Sequence, residues 1–444
     1  MREEIEDYVR SLGLDAYLVG GAVRDELLGL ESKDADFLVP GVDTDALRAR
    51  LEPHGRVEDL VVADRLVGVR LHPSDKSIRA LAPAGIEFAP PRKEVSTGPG
   101  RHDFEIVADP SLSVEDDMRR RDFTVNAMAR RLADGTLVDP LGGRADLEGG
   151  ILRAVSDTSF AEDPLRLVRG LRFVSQLGFE LDERTREQMT EEAPAVRLVS
   201  GERIGGGLTA DGMGELSKLL LGAHPQDALV VARDTGVLYE LIPEFGPAGY
   251  LTEHIFAVVQ ESADAGDALA VRLAALFHDV GKPVDRDPLG HAQVSAQIAH
   301  ETLGRLRYPT RLARHVVGIV REHPYYEQDR PKTPRDARRF LLRYGDELAF
   351  DLVAMRLADL RAKDRDTSGL EETRALLQQE LSSPHRLRDL AVDGDDLLAL
   401  GFTPGPDVGR ALSELLELVV DDPAMNTREQ LLEYAKGLGW PASS

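Results

Sequence analysis

Cysteine is absent from the 444-residue sequence, and this excludes disulfides and thiolate metal sites. Any bound metal must therefore be held by histidine, carboxylate or substrate oxygen ligands. Long apolar runs are also missing, and the acidic start "MREEIEDYVR" has neither the basic flank nor the apolar stretch of a secretion signal. We therefore expect a cytoplasmic protein that makes no membrane contact.

Positive charge is scarce, because 54 Lys and Arg residues face 78 Asp and Glu residues and leave a net charge of −24. Affinity for nucleic acid depends largely on basic side chains that neutralise phosphates, so a general polyanion-binding surface is excluded. Any RNA site must be a local basic patch, and the arginine-rich segments are 119–131, 305–315 and 330–343. Solvated helix faces explain the same segments equally simply.

The chain is globular in composition, with 42% hydrophobic and 30% charged residues, and it is too long for one core. Residues 1–140 mix short β-like runs with helical stretches, whereas apolar residues from about 150 onward recur at spacings of three and four. We predict an α+β fold in which a mixed sheet with helices is followed by an all-α remainder. Gly/Pro-rich seams lie near 201–214, 243–250 and 382–394.

The segment "YLVGGAVRDELLGLESKDADFLV" (17–39) predicts a strand, a turn at Gly20 and Gly21, and a helix whose start can receive a phosphate. Asp34 and Asp36 lie two apart in an apolar strand, so both carboxylates point to one face. Two adjacent carboxylates repel, and a hard cation such as Mg²⁺ compensates them. The alternative is surface charge on an edge strand.

A two-metal site usually needs another carboxylate on a neighbouring strand. Glu87 in "AGIEFAP" is the candidate, although it also fits the outward residue of a half-buried strand, and Glu105 in "HDFEIV" is a weaker rival.

The segment "RRRDFTVNAMA" (119–129) places an Asn before an expected helical run. Asp122 either caps that helix, or Arg121, Asp122 and Asn126 together grip the triphosphate and ribose of a nucleotide.

In "AEDPLRLVRGLRF", Asp163 and Arg166 lie three apart on one face of a predicted helix. Asp163 is an acceptable N-cap and Pro164 fits the first helical position.

Four ordered segments, "GGAVRD" (20–25), "DAD" (34–36), "RRDFTVN" (120–126) and "EDPLR" (162–166), together resemble the class II tRNA nucleotidyltransferases. These are the CCA-adding enzymes, and the bacterial poly(A) polymerases are their relatives. The resemblance implies a nucleotidyltransferase palm in which the two aspartates of "DAD", Asp34 and Asp36, hold two Mg²⁺. It also implies that Asp122 lies near the ribose and that the incoming nucleotide contacts Gly20, Gly21 and Arg24.

The same resemblance implies that Asp163 and Arg166 form a protein template that pairs with cytosine or adenine and rejects uracil and guanine. A cap and a template are compatible if one carboxylate oxygen of Asp163 remains free. Arg169 and Arg172 continue the basic side of this helix toward phosphates.

A third constellation, "ALFHDVGKP", places His278 beside Asp279 at the end of an apolar helix. Further His and Asp residues at helical positions complete a set of ligands for a divalent transition metal. The set resembles an HD phosphohydrolase domain, whose core ligands match His254, His278, Asp279 and Asp359. His291 and His323 then complete a second metal site or bind phosphate. The alternative is an HD fold that serves mainly to bind RNA.

The resemblance implies four regions: a palm at 1–140, a helical nucleotide-recognition and neck region at 141–245, an HD domain at 246–380 and an RNA-binding helical tail at 381–444. One departure is "SGERIGGGLTADGMGEL" (200–216), where the family usually continues straight into a neck helix, so the extra glycines alter the expected helix.

The expected activity is template-independent addition of CCA to the 3′ end of tRNA from CTP and ATP, with release of pyrophosphate and an accessory HD phosphohydrolase activity. The alternatives are a poly(A) polymerase, an enzyme that adds only CC or only A, and an HD phosphohydrolase with an impaired transferase head. The sequence does not indicate an oligomeric state.

Overall fold

The computed structural model describes residues 3–30, 35–62, 65–96, 104–206, 213–324 and 329–438. The chain divides into two compact units, Met1–Gly246 with Arg305–Tyr308, and Pro247–Gly304 with Pro309–Ser444. The division falls in the predicted seam near 243–250, while the finer four-part organisation stays a prediction. Within the described ranges, no helix combines the length and apolarity needed to cross a bilayer.

Strands occur only before residue 182 in the described part of the chain. They are β1 (Tyr17–Val19), β2 (Asp36–Leu38), β3 (Gly55–Val62), β4 (Arg65–Pro73), β5 (Ile86–Ala89), β6 (Arg92–Ser96), β7 (Phe104–Ala108), β8 (Ala129–Arg131), β9 (Leu137–Val138), β10 (Ile151–Leu152) and β11 (Glu180–Leu181).

Helices connect these strands and continue to residue 241. They are α1 (Glu3–Ser11), α2 (Gly21–Leu27), α3 (Thr44–Leu51), α4 (Lys76–Leu81), α5 (Val114–Arg119), α6 (Gly143–Gly149), α7 (Ser159–Glu162), α8 (Leu165–Leu177), α9 (Glu183–Glu192), α10 (Gly201–Gly205), α11 (Glu215–Leu220), α12 (Pro225–Asp234) and α13 (Val237–Leu241).

The chain after residue 246 is helical throughout its described part. Its helices are α14 (Thr252–Asp264), α15 (Leu269–Phe277), α16 (Pro288–Arg305), α17 (Thr310–Glu322), α18 (Pro334–Tyr344), α19 (Asp346–Arg361), α20 (Ser368–Glu380), α21 (Gly394–Ala399), α22 (Pro406–Asp421) and α23 (Arg428–Gly437).

A seven-stranded sheet in the order β3-β4-β5-β2-β1-β8-β9 forms the centre of the first unit. Strands β2 and β5 pair in parallel and the other neighbours pair antiparallel, so the sheet is mixed as predicted. Phe37 and Phe88 are register partners, and their rings stack at 5.6 Å inside the core. Side chains alternate along a strand, so the neighbouring partners Asp36 and Glu87 share the opposite face.

The segment after Asn126 is a strand, and the expectation of a helical run there was wrong. Residues Thr124–Asn126 form a single 3-10 turn, and β8 follows at Ala129. The reason is tertiary, because β8 pairs antiparallel with β1 while Ala127, Met128 and Ala129 are fully buried. Pairing and burial override a weak local helical pattern.

The glycine-rich departure near 200–216 produces two short helices, α10 and α11, instead of a continuous neck helix. Gly206 adopts φ +97°, and a Cβ there would collide with the backbone of Met213 and Gly214. A Cβ at Gly214 would likewise collide with Ile204 O. These close backbone approaches require glycine, and they bring the two ends of the inserted segment together.

In the second unit, α15 is almost wholly buried and packs against α14, α17 and α19. The tail has its own apolar cluster, in which Leu397, Leu415 and Leu431 are fully buried. Arg338 on α18 joins the tail to the rest of this unit, since its Nε donates to Val420 O at 2.7 Å and its guanidinium pairs with Glu380 at 2.8 Å. The tail therefore docks through a buried polar contact.

We expect Arg338→Ala to lower the stability of the second unit by about 3 kcal/mol, because truncation leaves the Glu380 carboxylate without its buried partner. The matched control is Arg335→Ala on the same helix. The Arg335 side chain, which pairs with Asp421, is 52% exposed, so losing this pair should lower stability by about 1 kcal/mol or less. Thermal unfolding of both variants measures the difference. Equal shifts would contradict the docking role of Arg338.

Candidate functional site

A cleft of about 920 Å³ in the first unit collects most of the residues that the sequence singled out. Those that line it are Gly21, Arg24, Asp36, Glu87, Arg121, Asp122, Asn126, Asp163, Arg166, Arg169 and Arg172. Asp34 lies outside the described residues. The cleft therefore unites positions from across the first 172 residues of the chain.

Asp36 and Glu87 occupy one face of the sheet at directly paired positions of β2 and β5. Such parallel neighbours are close enough for their carboxylates to share one cation. Arg70 on β4 currently pairs with Glu87 and balances its charge. The rival Glu105 belongs to β7, which pairs with β6 in a separate two-stranded sheet.

Gly20 forms the turn between β1 and α2 in a left-handed conformation with φ +70°. A Cβ at this position would also collide with the Arg121 guanidinium, which Asp117 holds through a contact of 3.3 Å. Glycine is therefore needed for both backbone and packing reasons. Gly21 opens the helix and has room for a Cβ, since its nearest neighbour would be 3.5 Å away on Arg24.

Asp122 is the centre of a buried polar chain and does not cap a helix. Its Oδ2 accepts two hydrogen bonds from Arg169, at 2.9 and 2.5 Å, and its Oδ1 accepts from Asn126 at 3.1 Å. Asn126 in turn accepts from Arg24 at 2.7 Å. Burial by itself raises the pKa of Asp122, but the Arg169 guanidinium and these hydrogen bonds hold that pKa well below its usual range.

Three guanidinium groups gather over one aromatic ring in the cleft. Arg24, Arg169 and Arg172 lie 5.4, 5.8 and 4.3 Å from the centre of the Phe173 ring. Burial, partly offset by Glu215 at 3.0 Å, lowers the pKa of Arg172 to about 10, so it stays charged at neutral pH. Clustered cations in a cleft favour a polyanionic ligand.

Asp163 lies just before α8 in an extended conformation and accepts from Leu165 N at 3.1 Å, as a cap does. Arg203 donates to both carboxylate oxygens, at 3.2 and 3.0 Å, so neither oxygen is entirely free. A carboxylate has about four acceptor positions, so about one remains. Arg166 is buried and donates to Ser159 Oγ at 2.9 Å and to Arg120 O at 2.7 Å.

Sequence reasoning missed the partners that hold these side chains. Arg203 and Glu215 flank the glycine-rich segment, and they pair with Asp163 and Arg172 respectively. These two residues belong to "ERI" and "EL", the short sequences at the two ends of the glycine-rich segment, and those sequences were the signal available for them. Arg70 and Phe173 gave no local signal, because their contacts are made only by folding.

The six predicted HD residues meet in the second unit, although they come from five helices or helix ends. They form two trios, and within each trio the ligand atoms lie within 4.8 Å of one another. One trio is His254, His278 and Asp359, and the other is Asp279, His291 and His323. Asp279 also links the trios, because its Oδ2 is 3.2 Å from His278 Nε2 and its Oδ1 is 3.4 Å from His291 Nε2.

The ring orientations at this cluster fit metal binding. His278, His291 and His323 each direct Nδ1 to a backbone carbonyl, at 2.8, 2.9 and 2.7 Å, and so turn Nε2 toward the centre. The Nε2 atoms of His254 and His278 are buried, and each lies 3.2 Å from a carboxylate oxygen, of Asp359 and Asp279 respectively. Imidazole nitrogens that converge with carboxylates in this way fit a divalent transition metal in each trio.

Cations surround the cluster. Lys282 lies 2.5 Å from Asp279, while Lys363 and Arg356 lie 2.5 and 2.6 Å from Asp359. Burial raises the pKa of each aspartate, but His278, His254 and the lysines hold both pKa values well below the usual range. Burial and the neighbouring His278 lower the pKa of His323 to about 3, so its imidazole is neutral at physiological pH and able to ligate a metal.

Comparison with known families gives matches along most of the chain. The profile "Poly A polymerase head domain" matches residues 16–153, "Probable RNA and SrmB- binding site of polymerase A" matches 178–248, and "tRNA nucleotidyltransferase domain 2" matches 290–435.

Two curated relatives share the name "Multifunctional CCA protein". The one from Neisseria gonorrhoeae (strain NCCP11945) is 38% identical over 336 residues, which cover 71% of this chain and 75% of that protein. The one from Thioalkalivibrio sulfidiphilus is 34% identical over 426 residues, covering 90% and 96%.

A solved structure, the CCA-adding enzyme of Bacillus stearothermophilus in complex with CTP, shares the fold with a TM-score of 0.69. It is 24% identical, and the match covers 99% of this chain and 98% of that one. This likeness confirms the predicted fold class.

We expect the cluster of the second unit to bind two equivalents of Co²⁺, because it contains two trios of ligands. His254→Ala and His323→Ala should each remove one equivalent and change the visible spectrum of bound Co²⁺ differently. His300→Ala, an exposed histidine on the same helix as His291, is the control and should keep both. One equivalent in the unmodified protein, or two in both variants, would contradict the assignment.

Proposed function

The chain belongs to the family of class II CCA-adding tRNA nucleotidyltransferases and bacterial poly(A) polymerases, and on that basis we propose that it adds CCA to the 3′ end of tRNA. The nucleotides come from CTP and ATP, and no nucleic-acid template is used. The family membership supports this activity, since relatives named for CCA are 34–38% identical over most of the chain. The observation that carries it is the arginine-rich cleft beside the paired positions of Asp36 and Glu87.

The residues on the paired strands fit Mg²⁺. Asp36 and Glu87 face one side of the sheet, and we assign Asp34 as the further carboxylate. Mg²⁺ held by these carboxylates would make the 3′ hydroxyl more acidic and would stabilise negative charge that develops around the α-phosphate. We also propose that Glu87 is the third carboxylate of this metal site.

The arginines of the cleft position the nucleotide. Arg24, Arg169 and Arg172 surround the Phe173 ring and present their positive charge to the triphosphate, with Asp122 and Glu215 fixing two of them. The ribose lies beside Asp122 and Asn126. The 3′ hydroxyl of tRNA loses its proton to solvent as its oxygen attacks the α-phosphorus in line, the bond to the bridging oxygen breaks, and pyrophosphate leaves.

Asp163 and Arg166 select the base. Cytosine and adenine carry an exocyclic amino donor, whereas uracil and guanine carry a carbonyl acceptor at the equivalent edge position. The remaining acceptor position of Asp163 receives the amino group, and an N–H of Arg166 reaches the ring nitrogen. A carbonyl at that position would leave the carboxylate facing another acceptor, and this rejects the wrong base.

We expect CTP alone to add two residues to tRNA lacking CCA, ATP alone to add none, and both together to add three. The products are resolved by denaturing gel electrophoresis of end-labelled tRNA. Long A tracts from ATP alone would identify a poly(A) polymerase. Arrest after CC, or addition of A only to tRNA ending in CC, would identify a partial enzyme, and no incorporation at all would leave only an idle RNA-binding protein.

A second activity, metal-dependent hydrolysis of phosphate esters, is favoured by the two trios and by the Nε2 atoms of His254 and His278, which converge on carboxylates of the cluster at 3.2 Å. A divalent metal bound there would lower the pKa of a water molecule and would polarise the phosphorus centre. We assign the HD-type role to residues 246–380 on this observation. RNA binding without hydrolysis is the alternative for this centre.

The two activities should separate by mutation. Asp36→Ala removes a carboxylate of the cleft and should lower nucleotide addition roughly a thousandfold or more, because metal stabilisation of the transition state contributes several kcal/mol. Phosphate-ester hydrolysis should remain. His278→Ala should do the reverse.

Both rates are measured on each purified variant, with circular dichroism and thermal unfolding to confirm folding. Loss of both activities in both folded variants would show that two separate centres are the wrong description.

The remaining assignments complete the proposal. The partners are tRNA, CTP and ATP, the location is the cytoplasm, and Mg²⁺ serves the cleft. The region 141–245 carries base recognition and the neck, and 381–444 contributes to RNA binding.

A further inference from the structure

The cavity at the metal-binding cluster of the second unit is small. Its volume is about 240 Å³, and it is lined by the cluster residues together with Lys282, Arg286, Pro324, Arg356 and Lys363. Sites that bury a whole small molecule typically measure ~300–1,000 Å³. The cluster cavity therefore has room for metal ions and a phosphoryl group, and the remainder of any ester must lie outside it.

A second cavity of about 600 Å³ adjoins the first. Pro324 lines both cavities. Two helices also contribute to each: α16 supplies Leu289 to the second cavity and His291 to the first, and the end of α17 supplies Glu322 and His323 in the same way. The two cavities therefore share a wall formed by Pro324 and parts of α16 and α17.

The chemistry of this second cavity suits a phosphorylated group. It is lined by five basic side chains and two aromatic ones: Arg321, Arg330, Lys332, Arg339, Arg343, Phe340 and Tyr344. Three acidic residues, Glu322, Asp329 and Asp336, also line it, so the basic side chains exceed the acidic ones in a protein whose net charge is −24.

Several lining charges of both signs are already engaged. Asp336 belongs to the capping box of α18 and accepts from the Thr333 backbone at 3.0 Å, and Glu322 accepts from the Tyr344 hydroxyl at 3.2 Å. Among the basic residues, Arg339 pairs with Asp421 at 2.7 Å and Arg343 lies 3.7 Å from Glu322. Arg321 and Lys332 have exposed side chains with no ion pair to any described residue, and their charge is available to a ligand. The guanidinium of Arg343 lies 4.8 Å from the centre of the Tyr344 ring, an arrangement that also accepts a stacked base.

We propose that this second cavity is the leaving-group subsite of the phosphohydrolase centre, and that it takes a nucleotide carrying a further phosphate. The inference rests on the proposed phosphohydrolase function and names its substrate class: phosphate esters whose leaving group is itself a phosphorylated nucleoside. A water oxygen bonds to phosphorus, the bond from phosphorus to the ribose oxygen breaks, and the proton from water ends on that oxygen. The products are phosphate and the phosphorylated nucleoside.

Such a leaving group has two sources, the 3′-phosphorylated end of an RNA and a free nucleoside bisphosphate. The experiment compares hydrolysis of adenosine 3′-phosphate, adenosine 3′,5′-bisphosphate and the dinucleotide ApAp by the full-length protein loaded with Co²⁺. We expect kcat/KM to be about tenfold higher for the substrates with a second phosphate, because one hydrogen bond to a charged group increases affinity by about that factor. Preference for ApAp over the bisphosphate assigns the subsite to RNA ends, and the reverse assigns it to bisphosphates.

The variants Arg321→Gln and Lys332→Gln, singly and combined, test the subsite itself. They should lower kcat/KM for the doubly phosphorylated substrates about tenfold and leave adenosine 3′-phosphate within about twofold. Arg314→Gln is the matched control, because Arg314 is exposed, lies two turns earlier on α17 and does not line the cavity. Equal losses for all three substrates, or no loss, would overturn the proposal.

A binding measurement separates this inference from the phosphohydrolase function. Fluorescein-labelled ApAp is titrated into the metal-loaded protein with saturating CTP present, and anisotropy is recorded for the unmodified protein, the double variant and the control. If no ester is hydrolysed, the phosphohydrolase function fails, and weaker binding by the double variant alone still supports the subsite. Equal binding by all three proteins overturns it.

Discussion

The first unit depends on the pairing of a few buried carboxylates with a cluster of arginines. Three guanidinium groups around Phe173 repel one another, and each is held by its own carboxylate. The pairs are Arg169 with Asp122, Arg172 with Glu215 and Arg24 with Asp25. Arginines outnumber carboxylates among the residues that line the cleft, so the cleft carries net positive charge. Asp122 ties this cluster to Asn126 and Arg24 as well, so one buried aspartate organises side chains from three separate segments.

In the second unit too, buried carboxylates are paired with basic side chains. There two aspartates lie among four histidines, and Lys282, Lys363 and Arg356 balance their charge. The backbone carbonyls that fix three of the imidazoles leave their Nε2 atoms directed at the centre. In both units, partners hold buried charged side chains in place.

Sequence reasoning singled out residues that the fold brings together in two clusters, but it could not find the partners that hold them. The mixed sheet followed by helices was predicted correctly, because strand and helix periodicities are local signals. That Asp36 pairs in register with Glu87 could not be read, since β2 and β5 are separated by two further strands in the chain. The strand at Ala129 was missed because pairing with β1 decides it. The pairing of Asp163 with Arg203 could not be read either, because Arg203 comes from another helix.

We propose that the arginine cluster receives the triphosphate while Asp163 and Arg166 read the base. The decisive measurement is a crystal structure of the protein with CTP and Mg²⁺. Phosphate oxygens should lie within hydrogen-bonding distance of Arg24, Arg169 or Arg172, and the cytosine amino group within hydrogen-bonding distance of Asp163. A triphosphate bound away from these arginines, or a base that touches neither Asp163 nor Arg166, would show that the cleft works in another way.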